Sequence, residues 1–122
     1  MKKFMLAALM LLPFSAMADH MDVIQLELKD GCTVAQYVAI KTEFNDQWGK
    51  KNGYQAEILT AIQSHDLTSI YWIGRSAGAQ AYGKAWDTWR EEATDANSVA
   101  GKLQAKFAEC SVEMSRRGYD IH

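Results

Sequence analysis

The order of hydrophobic periodicities limits the fold of this chain more than any other feature. Residues 23–28 alternate, with Ile24, Leu26 and Leu28 on one face, which is typical of a half-buried strand. The later pattern predicts a helix from Val34 to Asn52, strands over 54–65 and 69–74, a helical stretch over 77–109 that falters near Thr94, and a strand over 111–116. This order predicts a ferredoxin-like α+β fold, in which both helices cover one face of a four-stranded antiparallel sheet.

Local sequence signals mark the ends of the helices. Thr33 and Gln36 have the spacing of a capping box at the start of the first helix. Asn52 and Gly53 are suited to its end, since both residue types tolerate the left-handed conformation, and Ser76 is placed to cap the second helix. One apolar stripe follows the first helix: Val34, Tyr37, Ile40, Phe44 and Trp48. The second helical stretch is one helix with a break, or two helices packed end to end.

Residues 1–18 have the pattern of a cleavable secretory signal. Lys2 and Lys3 precede an apolar run of about 11 residues, and small residues at Ala16 and Ala18 suit a signal peptidase. A retained membrane anchor is the alternative, but the run is shorter than the roughly 20 residues that a spanning helix needs. We therefore expect a single periplasmic or secreted domain over residues 19–122.

Charge and composition exclude some classes of partner. The formal net charge of the whole chain is −2, and removing the two lysines of the signal makes it about −4. Such a domain lacks the clustered Lys and Arg that meet a nucleic-acid backbone. The mature chain also has no second apolar segment long enough to cross a membrane, so we expect no membrane association after cleavage.

Cys32 and Cys110 are predicted to form a disulfide. In the ferredoxin-like topology the first and last strands are antiparallel neighbours, and the two cysteines fall at the same end of that pair. The exported compartment is oxidising. Two free buried thiols or a redox-active pair are the alternatives, although redox pairs are usually close in sequence.

The face of the sheet away from the helices is expected to carry mixed polar and apolar side chains. Its predicted members are Gln25, Glu27, Glu57, Leu59, Gln63, His65, Glu113 and one of Tyr71 or Trp72. Aromatic groups on such a face are stable when it is partly covered. Two copies packed through these faces would enclose a cavity, so a homodimer is expected.

The mature chain resembles the dimeric α+β barrel superfamily, which includes antibiotic-biosynthesis-monooxygenase-like and NIPSNAP-like domains. The resemblance rests on the element order and on the aromatic stripe Tyr82, Trp86 and Trp89. It implies a homodimer with sheets packed face to face, often with a small hydrophobic ligand between sheet and helices. Some members degrade haem with a histidine on the second helix, but residues 77–109 contain no histidine here.

Candidate site residues follow from residue chemistry. His65 is a candidate general base or acid, or else a solvated strand-end histidine. A ligand wall is predicted from Tyr71, Trp72, Arg75, Tyr82, Trp86 and Trp89, with core packing as the alternative for the aromatic residues and a surface position for Arg75. His20 and His122 lie near the chain ends and are expected to lack a scaffold, so neither a metal site nor a cofactor is predicted.

Three functions remain open at this point. The first is an exported homodimer that binds a small aromatic or amphipathic molecule without catalysis. The second is a cofactor-independent monooxygenase or isomerase that acts on a phenolic or quinol substrate, with His65 or a tyrosine moving the proton. The third is a structural or interaction module of the cell envelope, which predicts an apolar patch and no ordered cavity.

Overall fold

A computed structural model describes residues 19–122; the predicted signal at residues 1–18 lies outside the described residues. Neighbouring strands of the sheet are antiparallel, in the order β2-β3-β1-β4. This topology confirms the ferredoxin-like α+β prediction. The elements are β1 (His20–Leu28), α1 (Val34–Phe44), β2 (Gln55–Thr60), β3 (Ile70–Ser76), α2 (Ala79–Glu92), α3 (Val99–Cys110) and β4 (Ser111–Asp120).

The first helix begins and ends as its sequence predicts. The Gln36 backbone N–H donates to Thr33 Oγ1 over 3.2 Å, and the Thr33 N–H donates to Gln36 Oε1 over 2.8 Å, which completes the capping box. After Phe44 the helix widens into a π-helical turn and then a 3-10 turn that ends at Asn52. Gly53 follows with a φ of +66°, a conformation that favours glycine.

Several predicted boundaries are wrong. β2 ends at Thr60, and residues 61–69 form a loop rather than the strand predicted through His65. The carboxylate of Asp66 accepts hydrogen bonds from the backbone N–H groups of Thr68 and Ser69, which turns the chain before β3. Ser76 belongs to β3 and is not the helix cap, because α2 begins after Gly78.

The second helical stretch is two helices, as one of the two alternatives proposed. The break is stabilised by Ser98, whose hydroxyl donates to main-chain carbonyl oxygens and accepts from the Gly101 N–H over 2.9 Å. α2 is attached to the π-helical turn that follows α1 by a hydrogen bond of 2.7 Å from Trp48 Nε1 to Glu92. α2 is therefore a helix of its own, which packs against β3 and α3.

The predicted disulfide is confirmed. Cys32 and Cys110 are bonded, with Cα atoms 5.2 Å apart and 78 residues between them in sequence. The bond joins the loop before α1 to the junction of α3 and β4, at the end of the adjacent strands β1 and β4. It fits an oxidising compartment.

The core lies between the sheet and the helices. Ile24 pairs with Trp72, and Trp72 pairs with Ile58, so these three side chains share the face that the helices cover. Tyr71 alternates with Trp72 and lies on the opposite face, which we call the open face and which also carries Gln25 and Leu59. Burial of Trp72, at 5% exposure, therefore resolves the uncertain orientation of β3 in favour of Trp72 facing the helices.

The pairing of β1 with β4 corrects one prediction and creates the site described below. Glu113 pairs with Leu26, so it lies on the helix side and not on the open face. The register then shifts between Gln25 and Leu26 and leaves Met114 without a partner. This one extra residue reverses the alternation beyond it and places Arg116 opposite Ile24, on the helix side.

Candidate active and ligand-binding site

A partly open cavity of about 90 Å³ lies between the sheet and the helices. Aromatic side chains line most of its wall, and polar side chains of β1 and β4 lie at one end. Such a combination is typical of small-molecule sites, where apolar walls hold the ligand and a few polar groups orient it. Its lining is Asp22, Ile24, Tyr37, Phe44, Trp48, Tyr54, Trp72, Tyr82, Ala85, Trp86, Trp89, Gln104, Phe107, Ser111, Glu113 and Arg116.

The structure brings four of the predicted ligand-wall residues together in this lining: Trp72, Tyr82, Trp86 and Trp89. Trp72 belongs to the sheet, whereas the other three project from α2 at helical spacing. Phe44 of α1 joins the two sides, since its ring centroid is 5.0 Å from that of Trp72 and 5.4 Å from that of Trp89. The wall is therefore part of the aromatic core as well as the surface of the cavity.

A chain of buried hydrogen bonds defines the polar end. Trp72 Nε1 donates to the hydroxyl of Tyr54 over 2.7 Å, and that hydroxyl donates to Asp22 Oδ2 over 3.1 Å. Asp22 is 2% exposed and Tyr54 7% exposed. Gly74 leaves room for this arrangement, because a Cβ atom at that position would lie 1.7 Å from the Tyr54 hydroxyl oxygen. The carboxylate of Asp22 thus has a fixed position and orientation.

Arg116 supplies the positive charge beside Asp22. Its Nε lies 3.5 Å from Asp22 Oδ1, and one terminal nitrogen lies 3.8 Å from Glu113. The guanidinium also lies over the ring of Trp86, 4.3 Å from the centroid, which is a cation–π contact. The Arg116 side chain is 31% exposed, so the ion pair joins a buried carboxylate to a cation at the rim.

Burial controls the proton affinities in the cavity. Loss of solvation raises the pKa of Asp22, and the nearby Arg116 charge and the Tyr54 hydrogen bond oppose that rise. Burial also raises the pKa of Tyr37 to about 12 and holds the pKa of Tyr54 well above its usual range. The two tyrosines therefore remain protonated donors at neutral pH, and Asp22 is the buried carboxylate of the cavity that can accept a proton.

His20 is held firmly, contrary to expectation. It is paired within β1, its side chain is 12% exposed, and its ring centroid is 4.6 Å from that of Tyr82. Its Nδ1 lies 3.1 Å from Asp120 Oδ1 at the end of β4. His20 and Asp22 alternate with Met21, so they share the helix side of the sheet. The histidine therefore belongs to the surroundings of the polar end.

Three of the predicted site residues lie away from the cavity. His65 is exposed in the loop between β2 and β3, and Tyr71 lies on the open face. Arg75 is exposed beside a second, more open depression that also contains Lys50 and Asp19. The structure thus separates these three from the aromatic wall with which sequence reasoning grouped them.

Sequence reasoning did not identify Asp22 or Arg116. The signal for Asp22 was present, because it continues the inward alternation of Ile24 and Leu26, and a carboxyl group at such a position needs a buried partner. The predicted first strand began at Val23 and therefore did not include Asp22. Arg116 had no local signal, because its side of the sheet depends on the bulge at Met114.

Comparison with known proteins identifies the fold. No family model matches the chain, and no curated protein matches it in sequence. Among solved structures, SnoaB, a cofactor-independent oxygenase from Streptomyces nogalater, is similar with a TM-score of 0.55 at 9% identity, over 84% of this chain and 91% of that chain. A dimeric protein of unknown function and ferredoxin-like fold from Bacteroides fragilis NCTC 9343 matches with a TM-score of 0.43 at 13% identity, over 84% and 93%.

The similarity to SnoaB agrees with the expected resemblance at the level of the fold alone: residues 19–122 have a ferredoxin-like α+β fold. Within residues 19–122, no helix is long and apolar enough to cross a membrane. Over the same residues, no group of three or more His, Cys, Asp or Glu side chains is placed to hold a metal ion.

Proposed function

We propose that this protein binds a small aromatic molecule carrying a polar group in the cavity between its sheet and helices. One observation carries the proposal: an aromatic-walled space ends at a buried carboxylate, Asp22, that Tyr54 holds in place. A space of this kind lowers stability unless it is occupied, because unfilled volume forfeits packing contacts. A purely structural role would be served better by a filled core, so the cavity favours ligand binding over an interaction module.

Tryptophan fluorescence tests the proposal directly, because all four tryptophans of the chain line the cavity. Phenols, quinones, aromatic amines and haem are titrated into the mature protein, and quenching at micromolar concentration by at least one of them is expected. Trp86→Leu should lower the affinity for that ligand by about tenfold, since the substitution removes an aromatic face at the rim of the cavity. Val99→Ala is the control, because Val99 is 42% exposed on α3 and lies outside both the cavity lining and the open face. Equal effects of the two substitutions, or no quenching by any compound, would contradict the proposal.

Export and homodimerisation belong to the same proposal. The open face carries apolar side chains that water contacts in a single copy, including Leu59 at 49% and Val112 at 47% exposure. Packing two open faces together would remove this surface from water. Light scattering of the mature protein should give the mass of a dimer, and Leu59→Lys should shift it toward the monomer. A wild-type monomer at high concentration would contradict dimerisation.

The predicted cleavage site is tested by the N-terminal residue of the protein recovered after export. An N-terminus other than Asp19 would contradict it.

A second candidate is a cofactor-independent oxygenase that acts on a phenolic substrate. The similarity in fold to SnoaB and the buried Asp22 carboxylate favour it. Asp22 would accept the proton of the substrate, and burial, which raises the pKa of its carboxyl group, makes it a stronger base than a solvated aspartate. Oxygen consumption with candidate phenols is the assay. Loss of turnover in Asp22→Asn with retention in His65→Ala would assign proton transfer to the cavity, and the reverse result would assign it to the loop.

A further inference from the structure

The charge of the ligand follows from the groups that line the cavity, on the premise of the proposed binding function. We infer that the site selects an organic cation, a small aromatic molecule with a protonated amine, over neutral or anionic molecules of the same shape. The amine would lie between the carboxylate of Asp22 and the aromatic faces of α2.

The first argument is the balance of fixed charges. Among the lining residues, Asp22 and Glu113 are acidic and Arg116 is basic, so the lining carries an excess of one negative charge when all three are ionised. The Asp22 side chain is 3% exposed and cannot turn toward water, because Tyr54 holds its Oδ2. A buried carboxylate that lacks a full counter-charge is costly, and a ligand cation reduces that cost.

The second argument is the weak attachment of Arg116 to the two carboxylates. Arg116 approaches both carboxylates only at 3.5 and 3.8 Å, and its side chain is 31% exposed. It makes no hydrogen bond short enough to fix it to either carboxylate. Arg116 can therefore move outward to Glu113, which is 59% exposed, while a ligand takes the inner position beside Asp22.

The third argument is that a cation already occupies an equivalent position. The guanidinium of Arg116 lies 4.3 Å from the centroid of Trp86, beside a carboxylate, which is the environment that aromatic cages give to ammonium ligands. Tyr82 is the neighbour of Trp86 one turn earlier on α2, and it also lines the cavity. An anionic ligand would pair with Arg116 only at the rim, and deeper in the cavity it would meet the negative faces of these rings and the carboxylate of Asp22.

Three probes of nearly equal shape test the inference: benzylammonium, benzyl alcohol and benzoate. Their affinities for the mature protein are measured by calorimetry at a pH near 7.5 and low ionic strength. Benzylammonium is expected to bind about tenfold more tightly than benzyl alcohol, and benzoate more weakly than both. Asp22→Asn should remove most of the preference for the ammonium probe, and Arg116→Gln should preserve or increase it. Lys106→Gln is the control, because it removes a positive charge from an ion pair with Glu43 that is not part of the cavity lining.

The outcomes separate the inference from the proposed function. Equal binding of benzyl alcohol and benzylammonium overturns the charge preference and leaves the binding site intact, and tighter binding of benzoate does the same. Failure of all three probes, together with the absence of any fluorescence response in the ligand screen, overturns the proposed function itself. Should Asp22→Asn fail to fold, as judged by circular dichroism, the affinities of the wild-type protein for benzylammonium and benzyl alcohol are measured at falling pH. The preference for benzylammonium should decline as the Asp22 carboxyl group takes up a proton, and a preference unchanged down to about pH 4 would also overturn the inference.

Discussion

Tyr54→Phe removes one oxygen atom from the middle of the polar end. The hydroxyl accepts from Trp72 Nε1 at 2.7 Å and donates to Asp22 Oδ2 at 3.1 Å, so its loss breaks two hydrogen bonds while the ring stays in place. Both partners are buried, at 5% and 2% exposure. Neither can recover a hydrogen bond from bulk water without a change in the surrounding structure.

The expected loss of stability follows from the two groups left unpaired. A buried donor or acceptor without a partner costs about 1–3 kcal/mol, and more when the group is charged. The indole N–H and the Asp22 carboxylate together therefore predict a loss of about 2–5 kcal/mol for Tyr54→Phe. The lower end applies if Asp22 takes up a proton or if water enters the cavity.

Urea denaturation with the linear extrapolation method measures this difference in the free energy of unfolding. Tyr119→Phe is the matched control, because Tyr119 is 44% exposed on β4, lies outside the cavity, and makes no side-chain hydrogen bond within residues 19–122. We expect its effect to stay within about 0.5 kcal/mol. A loss below about 1 kcal/mol in Tyr54→Phe, with an unchanged denaturant slope, would refute the view that this hydroxyl joins two buried groups.

Three further predictions concern pH, the disulfide and the glycines. Because burial raises the pKa of Asp22 in the folded protein above its ordinary 3.8, the folded protein binds this proton more tightly than the unfolded chain, and the free energy of unfolding falls as pH rises between the two pKa values. Urea titrations between about pH 4 and about pH 7 should show a smaller fall for Asp22→Asn than for the wild type. The same change of stability with pH in both proteins would contradict this prediction. Replacing both Cys32 and Cys110 with serine should cost about 4 kcal/mol in the chain-entropy model for a separation of 78 residues, and two free thiols in denatured, unreduced wild-type protein would exclude the bond. Gly74→Ala should destabilise the protein by about 1–3 kcal/mol, because the new Cβ atom would collide with the Tyr54 hydroxyl. Gly83→Ala should stabilise it by about 0.5–1 kcal/mol, because the space around that position of α2 is open and alanine favours a helix over glycine. Similar thermal midpoints for the two variants would contradict the close packing at Gly74.

The parts of the fold that sequence reasoning predicted correctly depend on local chemistry. The capping box at Thr33 and Gln36, the helix end at Gly53 and the inward alternation of Ile24 and Leu26 need only neighbouring residues for their effect. A turn at residues 65–68 was predicted, but residues 61–65 were assigned to the preceding strand because their side chains alternate in polarity. Hydrogen bonds from Thr68 and Ser69 to the Asp66 carboxylate outweighed the weak preference for strand.

The candidate site was predicted in part for the same reason. Trp86 and Trp89 share one face of α2 by helical spacing, which is local information. Asp22 and Arg116 are 94 positions apart in the chain (116 − 22), and nothing near either residue indicates that they meet. The aromatic wall of the cavity was therefore accessible from sequence, whereas its charged end was not.

The amino-acid sequence by itself determined the order of strands and helices and the likeness in fold that follows from that order, because periodicity and capping act over a few residues. It also determined the bond between Cys32 and Cys110, since that order makes β1 and β4 neighbours. Only the tertiary structure decided which β4 side chains face the helices. A strand alternates sides with each residue, so the single unpaired residue at Met114 exchanges the two faces and brings Arg116 to Asp22.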